Sequence, residues 1–231
     1  MTNPLRNQFI IFTSLLMLTA CGPRRTPINV FLEQPDTLVF EGSMSKEANE
    51  RIFKLYKNAK VKPQILKISS GGGDVDLGMD LGDWVFRNHL DVEVVHYCLS
   101  SCANYVFTAA RKKILNPDSM LFWHGGAHQP DIEVQFRKLG VAGKASWEAW
   151  IAREDAFFKT IGVNSSVTTY GQTAKHVVRT RTASGYDYSI EDMQKFGITN
   201  ILEKDGPWRW RELRPENAFV VDRIEVRLPV N

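Results

Sequence analysis

Between Gln64 and Ala110 the chain alternates strand and helix signals without a break, and this alternation constrains the fold more than any other feature. A β-branched run (Gln64 to Ser69), a glycine turn (Gly71 to Gly73), a helical stretch (Val75 to Asn88), an apolar strand (Val92 to Tyr97) and a second helix (Ser101 to Ala110) follow in order. Strands joined through helices run parallel and are covered on their faces, so the expected class is α/β, a mostly parallel sheet flanked by helices. Upstream, Ile28 to Leu32 and Thr37 to Phe40 read as strands, and Ser45 is placed to cap a helix that runs to Lys60, where Pro63 blocks further turns. Downstream the order changes. Lys112 to Leu115 and Met120 to Trp123 read as short strands around Asn116-Pro117-Asp118, and Trp147 to Ile161 as an aromatic-rich helix. Ile190 to Phe196 reads as a helix closed by Gly197 and followed by a strand from Ile198 to Leu202. From Trp208 to Val230 apolar and charged residues alternate, as in a strand or hairpin.

The N-terminus carries Arg6, an apolar run from Phe9 to Leu18 and then Leu18-Thr19-Ala20-Cys21. That run is too short for a membrane span, which needs about 20 apolar residues, and has the build of a secretory signal. The Leu-Thr-Ala-Cys ending resembles the lipobox of bacterial lipoproteins. The resemblance implies cleavage before Cys21, a diacylglycerol on its thiol and a palmitate-type lipoprotein; the plain alternative is an ordinary signal with a chance cysteine. The expected division is a signal peptide at 1–20, a lipidated tether at 21–27, a folded domain at 28–205 and a C-terminal extension at 206–231. Gly22 stands where an aspartate commonly retains lipoproteins at the inner membrane, so the expected location is the periplasmic face of the outer membrane. A net charge of +3 over 231 residues gives no electrostatic footprint for DNA or RNA.

Three features carry chemistry. Ser69-Ser70-Gly71-Gly72-Gly73 sits where a strand hands over to a helix, and its amides can approach an anion with no Cβ in the way. No Gly-Lys-Ser/Thr follows, which argues against a phosphate loop. Cys98-Leu99-Ser100-Ser101-Cys102 is a second strand-to-helix turn, where a serine feels the positive end of the helix dipole. Capping the helix is the plain use of such a serine. Cys98 and Cys102 read first as a disulfide, since two thiols without further ligands make a poor zinc site. His124 ends a short apolar strand ahead of Gly125-Gly126, where an imidazole could take a proton from a neighbouring serine. No metal and no cofactor is expected.

Together, in this order, the three features resemble the Clp protease proteolytic subunit and its relatives in the Clp/crotonase fold, a spiral of β-β-α units. Ile68 to Met79 resembles the family's strand, Ser-x-Gly-Gly turn and helix start. Asn116-Pro117-Asp118-Ser119 followed by His124 resembles its Pro-Asn-Ser stretch leading to the histidine. Ser189-Ile190-Glu191-Asp192 with Phe196-Gly197-Ile198 is similar to its late Ser-x-Glu-Glu helix. The flanking cysteines are similar to those of secreted bacterial Clp-like proteins.

The resemblance implies a serine nucleophile at Ser100 or Ser101, both kept open, with His124 as general base. It also implies an oxyanion hole from the amides of Gly72 or Gly73 and of the residue after the serine. The family's aspartate falls on Gly185, a departure; Asp187 is the nearest carboxylate. The function implied is a serine peptidase-like acyl hydrolase acting on a peptide or protein, with a homo-oligomer left open. The rival expectation is a Clp-like binding or assembly module without catalysis.

Overall fold

A computed structural model describes residues 27–173, 183–215 and 219–227. The signal peptide, Cys21 and nearly all of the tether lie outside the described residues.

The sheet begins with β1 (Asn29–Gln34), which folds back antiparallel on β2 (Thr37–Glu41). From β2 onward every pairing in this sheet is parallel. Helix α1 (Lys46–Asn58) follows; Ser45 Oγ accepts its Ala48 amide at 3.2 Å and so fixes its start. Then come β3 (Ile65–Ser70), α2 (Val75–Arg87) and β4 (Asp91–Leu99), with Asp74 capping α2 through the amides of Asp76 and Leu77. Leu38, Phe40, Leu66, Ile68, Val92 and Val94 are fully buried, and these apolar strand residues form the sheet's contribution to the core. The architecture is therefore α/β with a mostly parallel sheet flanked by helices, as the alternation requires.

At nine residues, β4 is the longest strand among the described residues, and on the side away from β3 it has two partners in succession. Its first half, Val92 to Val94, pairs with β5 (Lys113–Leu115). Its second half, Tyr97 to Leu99, pairs with β6 (Met120–Phe122). The Asn116-to-Ser119 turn lets the chain step from one register to the other; Ser119 Oγ and its amide both donate to Asn116 O. Because Leu99 opposes Phe122, the residues just beyond these two strands, Ser100 and Trp123-His124, emerge together at the carboxyl rim of the sheet.

Past β4 the chain winds as a π-helix, Cys102–Phe107, an uncommon form that often marks functional segments. Helix α2 approaches this segment through Gly78 and Gly82, where a Cβ would meet Ser101 and Tyr105 atoms at 2.9 and 2.5 Å. The stretch after His124 forms α3 (Ile132–Arg137) and α4 (Gly140–Ile161), longer than the helix read from its aromatics alone. β7 (Gly185–Asp187), α5 (Ile190–Lys195) and β8 (Ile201–Glu203) follow, with β8 closing the main sheet beside β5. The tail contributes a turn of helix, α6 (Trp210–Leu213), and one strand, β9 (Val221–Arg223), parallel to β7. Trp210, Val221, Ile224 and Val226 are buried, so this extension packs into the molecule.

Candidate active site

Ser100 has φ +56°, a left-handed conformation that costs a non-glycine residue about 1–2 kcal/mol. Several contacts hold it there. Its amide donates to Phe122 O at 3.3 Å, and its carbonyl accepts the Asn104 amide at 2.8 Å. A disulfide joins Cys98 to Cys102 across it, with both cysteines buried. The outcome is a tight turn that lifts the Ser100 hydroxyl off the rim of the sheet. His124 Nε2 lies 2.6 Å from Ser100 Oγ. Partial burial pushes the His124 pKa below its ordinary value, so at neutral pH the ring is the unprotonated form that can accept the serine proton.

Ser101 is placed differently. Its hydroxyl donates to Gly73 O at 3.0 Å and the residue is buried, which ties the glycine turn to the start of the π-helix. Of the two serines, only Ser100 is brought to the imidazole.

The glycine turn closes over the same spot. Gly72, at φ +88°, lies so near the serine turn that a Cβ would meet Leu99 O at 2.7 Å and the Ser100 Cβ and Ser101 N at 2.9 Å. Both its conformation and this approach demand glycine. The Gly72 amide donates to Ser70 Oγ at 3.1 Å, and the Gly72 carbonyl accepts the Met44 amide at 2.9 Å. Gly73 bridges to Met44.

Asp187 is not brought to His124. It is fully buried and receives Trp210 Nε1 at 3.0 Å, Arg211 at 2.9 and 3.2 Å, and Arg223 at 2.8 and 3.0 Å. This carboxylate fastens the C-terminal extension to β7. Gly185, at the position the family resemblance assigns to an acid, packs flat on the strand that leads to His124. A Cβ there would meet the Phe122 ring and Trp123 O at 2.5 Å. The main chains of Trp123 and Tyr186 exchange two hydrogen bonds of 2.8 Å next to it, which leaves no room for a side chain.

The segment after His124 is held by four side chains, none of which the sequence reading assigns to the site. Gln172 Nε2 donates to His124 O at 2.8 Å, and Asn104 Nδ2 donates to Gly125 O at 2.9 Å. Glu154, fully buried on α4, accepts the Ala127 amide at 2.7 Å and the Tyr105 hydroxyl at 2.9 Å. Its burial raises its pKa. Trp147 Nε1 donates to Ala127 O at 3.0 Å. Gly126 fits beneath, where a Cβ would lie 2.4 Å from Thr168 Oγ1 and 2.8 Å from Glu154 Oε1. The histidine is thus positioned by its main chain, and among the described residues no carboxylate bonds its ring.

No family model matches the chain, and no curated protein matches it. Solved structures similar to it include ClpP1 from Listeria monocytogenes, at 17% identity and a TM-score of 0.43, covering 74% of this chain and 92% of that one. A point mutant of ClpP1 from the same organism is similar at 17% identity and a TM-score of 0.41, covering 74% and 93%.

Proposed function

We propose that the chain is a serine peptidase or related acyl hydrolase that works through an acyl-enzyme on Ser100, with His124 as its proton carrier. The observation that carries this reading is the 2.6 Å approach of the His124 ring nitrogen to a hydroxyl held on a left-handed turn. Ser100 Oγ attacks the substrate carbonyl carbon while its proton passes to His124 Nε2. The oxyanion forms toward the Ser101 amide, in the unsatisfied first turn of a helix, and toward the Gly73 amide, since the Gly72 amide is taken by Ser70 Oγ. The C–N or C–O bond then breaks, and His124 returns the proton to the leaving group. Water repeats the cycle: it gives a proton to His124, attacks the acyl carbon and releases the acid and the free serine.

The same reading places the protein in the periplasm, anchored at Cys21 to the outer membrane, with a peptide or protein as substrate. A second reading, a binding module without catalysis, is favoured by one observation: Asp187 is occupied elsewhere and the Gly185 position has no space for an acid. A fluorophosphonate probe separates the two. Labelling that is lost in Ser100→Ala and retained in Ser101→Ala supports the hydrolase. A folded, disulfide-intact protein that takes no label supports the module. Mass spectrometry of the mature N-terminus tests the anchor independently, since an unmodified Cys21 would refute it.

A further inference from the structure

Lys113, on β5, is only 5% exposed, yet it has no carboxylate partner among the described residues. Its neighbours in register are Val92 and Ile201, so it shares the helix-covered face of the sheet with them. Asp91 and Glu93, one residue to either side of Val92, project to the opposite face. Both are also engaged: Arg111 holds Asp91 at 2.7 and 3.0 Å, and Lys204 holds Glu93 at 2.8 Å. The Lys113 ammonium makes a single hydrogen bond, to Ala110 O at 2.7 Å, although it has three protons to donate.

A cavity of about 240 Å³ opens against this side chain. Lys113, Arg111 and His89 line it, with Thr199 and Asn200 among the other polar residues and no acid. Desolvation alone lowers the Lys113 pKa to about 8, which leaves the group mostly protonated at neutral pH. A buried positive charge with one carbonyl for company is costly unless something of opposite sign joins it.

We propose that this cavity is an oxyanion site that takes a small carboxylate or phosphate group against Lys113 Nζ, with Arg111 and His89 on its walls. Its volume suits a free anion or a metabolite-sized acid and excludes a folded partner. It is separate from the Ser100 site and contains none of the residues that form it; Thr108, on its wall, is linked to that site through hydrogen bonds from its hydroxyl to the carbonyls of Asn104 and Tyr105.

The test uses the full chain at fixed ionic strength, with chloride exchanged for inorganic phosphate in one series and for acetate in another. Thermal unfolding and titration calorimetry are the readouts. Phosphate stabilises proteins generally, so the comparison with a variant is what decides. The expected result is a saturable rise in Tm and a binding heat for at least one anion, with at least tenfold weaker binding in Lys113→Met and unchanged binding in Ser100→Ala. Response to phosphate alone assigns a dianion, and response to acetate alone a carboxylate. His89→Gln, at an exposed residue, gives a milder loss and serves if Lys113→Met does not fold. Absence of a saturable response to both anions, or an equal response in Lys113→Met, would overturn the proposal.

Discussion

Asp187→Asn distinguishes a structural carboxylate from a catalytic one by the sign of two measurements. In the structure the carboxylate accepts five N–H bonds between 2.8 and 3.2 Å from Trp210, Arg211 and Arg223, and none from His124. The amide is nearly isosteric but uncharged, and it turns one acceptor into a donor that faces guanidinium protons. Breaking a buried ion pair on one side costs about 3–5 kcal/mol. The side chains of Arg211 and Arg223 are 34% and 41% exposed and can recover hydration, so the lower end, about 3 kcal/mol, is expected. For a domain of this size that lowers Tm by about 6–12 °C. Loss of a triad aspartate would instead cost about 10⁴ in rate. The assay pairs thermal unfolding by circular dichroism with the fluorophosphonate labelling rate at a temperature where both proteins are folded. The structure predicts a large fall in Tm with an unchanged labelling rate. An unchanged Tm with labelling slowed a thousandfold or more would refute the reasoning and make Asp187 the acid.

Three further outcomes are expected. Gly185→Asp will not supply the absent acid: its Cβ collides with Phe122 and Trp123 O, so Tm drops and labelling does not rise, whereas faster labelling would contradict the packing. The labelling rate should climb with pH along a single acid limb whose midpoint lies below 6.5. Burial lowers the His124 pKa, so the base form is reached at a lower pH than for a free imidazole, and a midpoint above 6.5 would show the opposite environment. In the double variant Cys98→Ala/Cys102→Ala, Ser100 is released from one of the restraints on its left-handed backbone; slackening of about 1–2 kcal/mol corresponds to labelling about tenfold slower. Stopped-flow labelling of the folded double variant checks this, and an unaltered rate would mean that the bridge does not hold the turn.

The alternating stretch from β3 to the π-helix is legible in the sequence because its turns are marked by local chemistry: glycines at one turn and paired cysteines at the next. The candidate nucleophile narrows to two hydroxyls and no further. Choosing between them requires the backbone angle at Ser100, which depends on Phe122 O and the Cys98–Cys102 bridge rather than on a sequence pattern. Glu154 and Gln172 escape a sequence reading for a similar reason, since each reaches across 27 and 48 residues to a main-chain group that no periodicity marks. Asp187 looks near because it lies two residues from Gly185. On a strand that step keeps the face but moves the side chain by about 6–7 Å, enough to bring it to the arginines of the tail. Helix α3 and the first turns of α4 are illegible because Gly140 and Gly143 interrupt the pattern and Val134, Leu139 and Val141 face solvent.

The arginines that grip Asp187 lie far along the chain from Ser100, yet they steady the ground beneath the imidazole. Arg211 and Arg223 hold β7, β7 locks its Tyr186 backbone to Trp123, and Trp123 is the residue before His124. A recombinant chain cut after Glu203 would keep its serine, its disulfide and its histidine, and lose the buttress that aligns one with another. Shortening this protein from its far end therefore reaches as far as the pairing of Ser100 with His124.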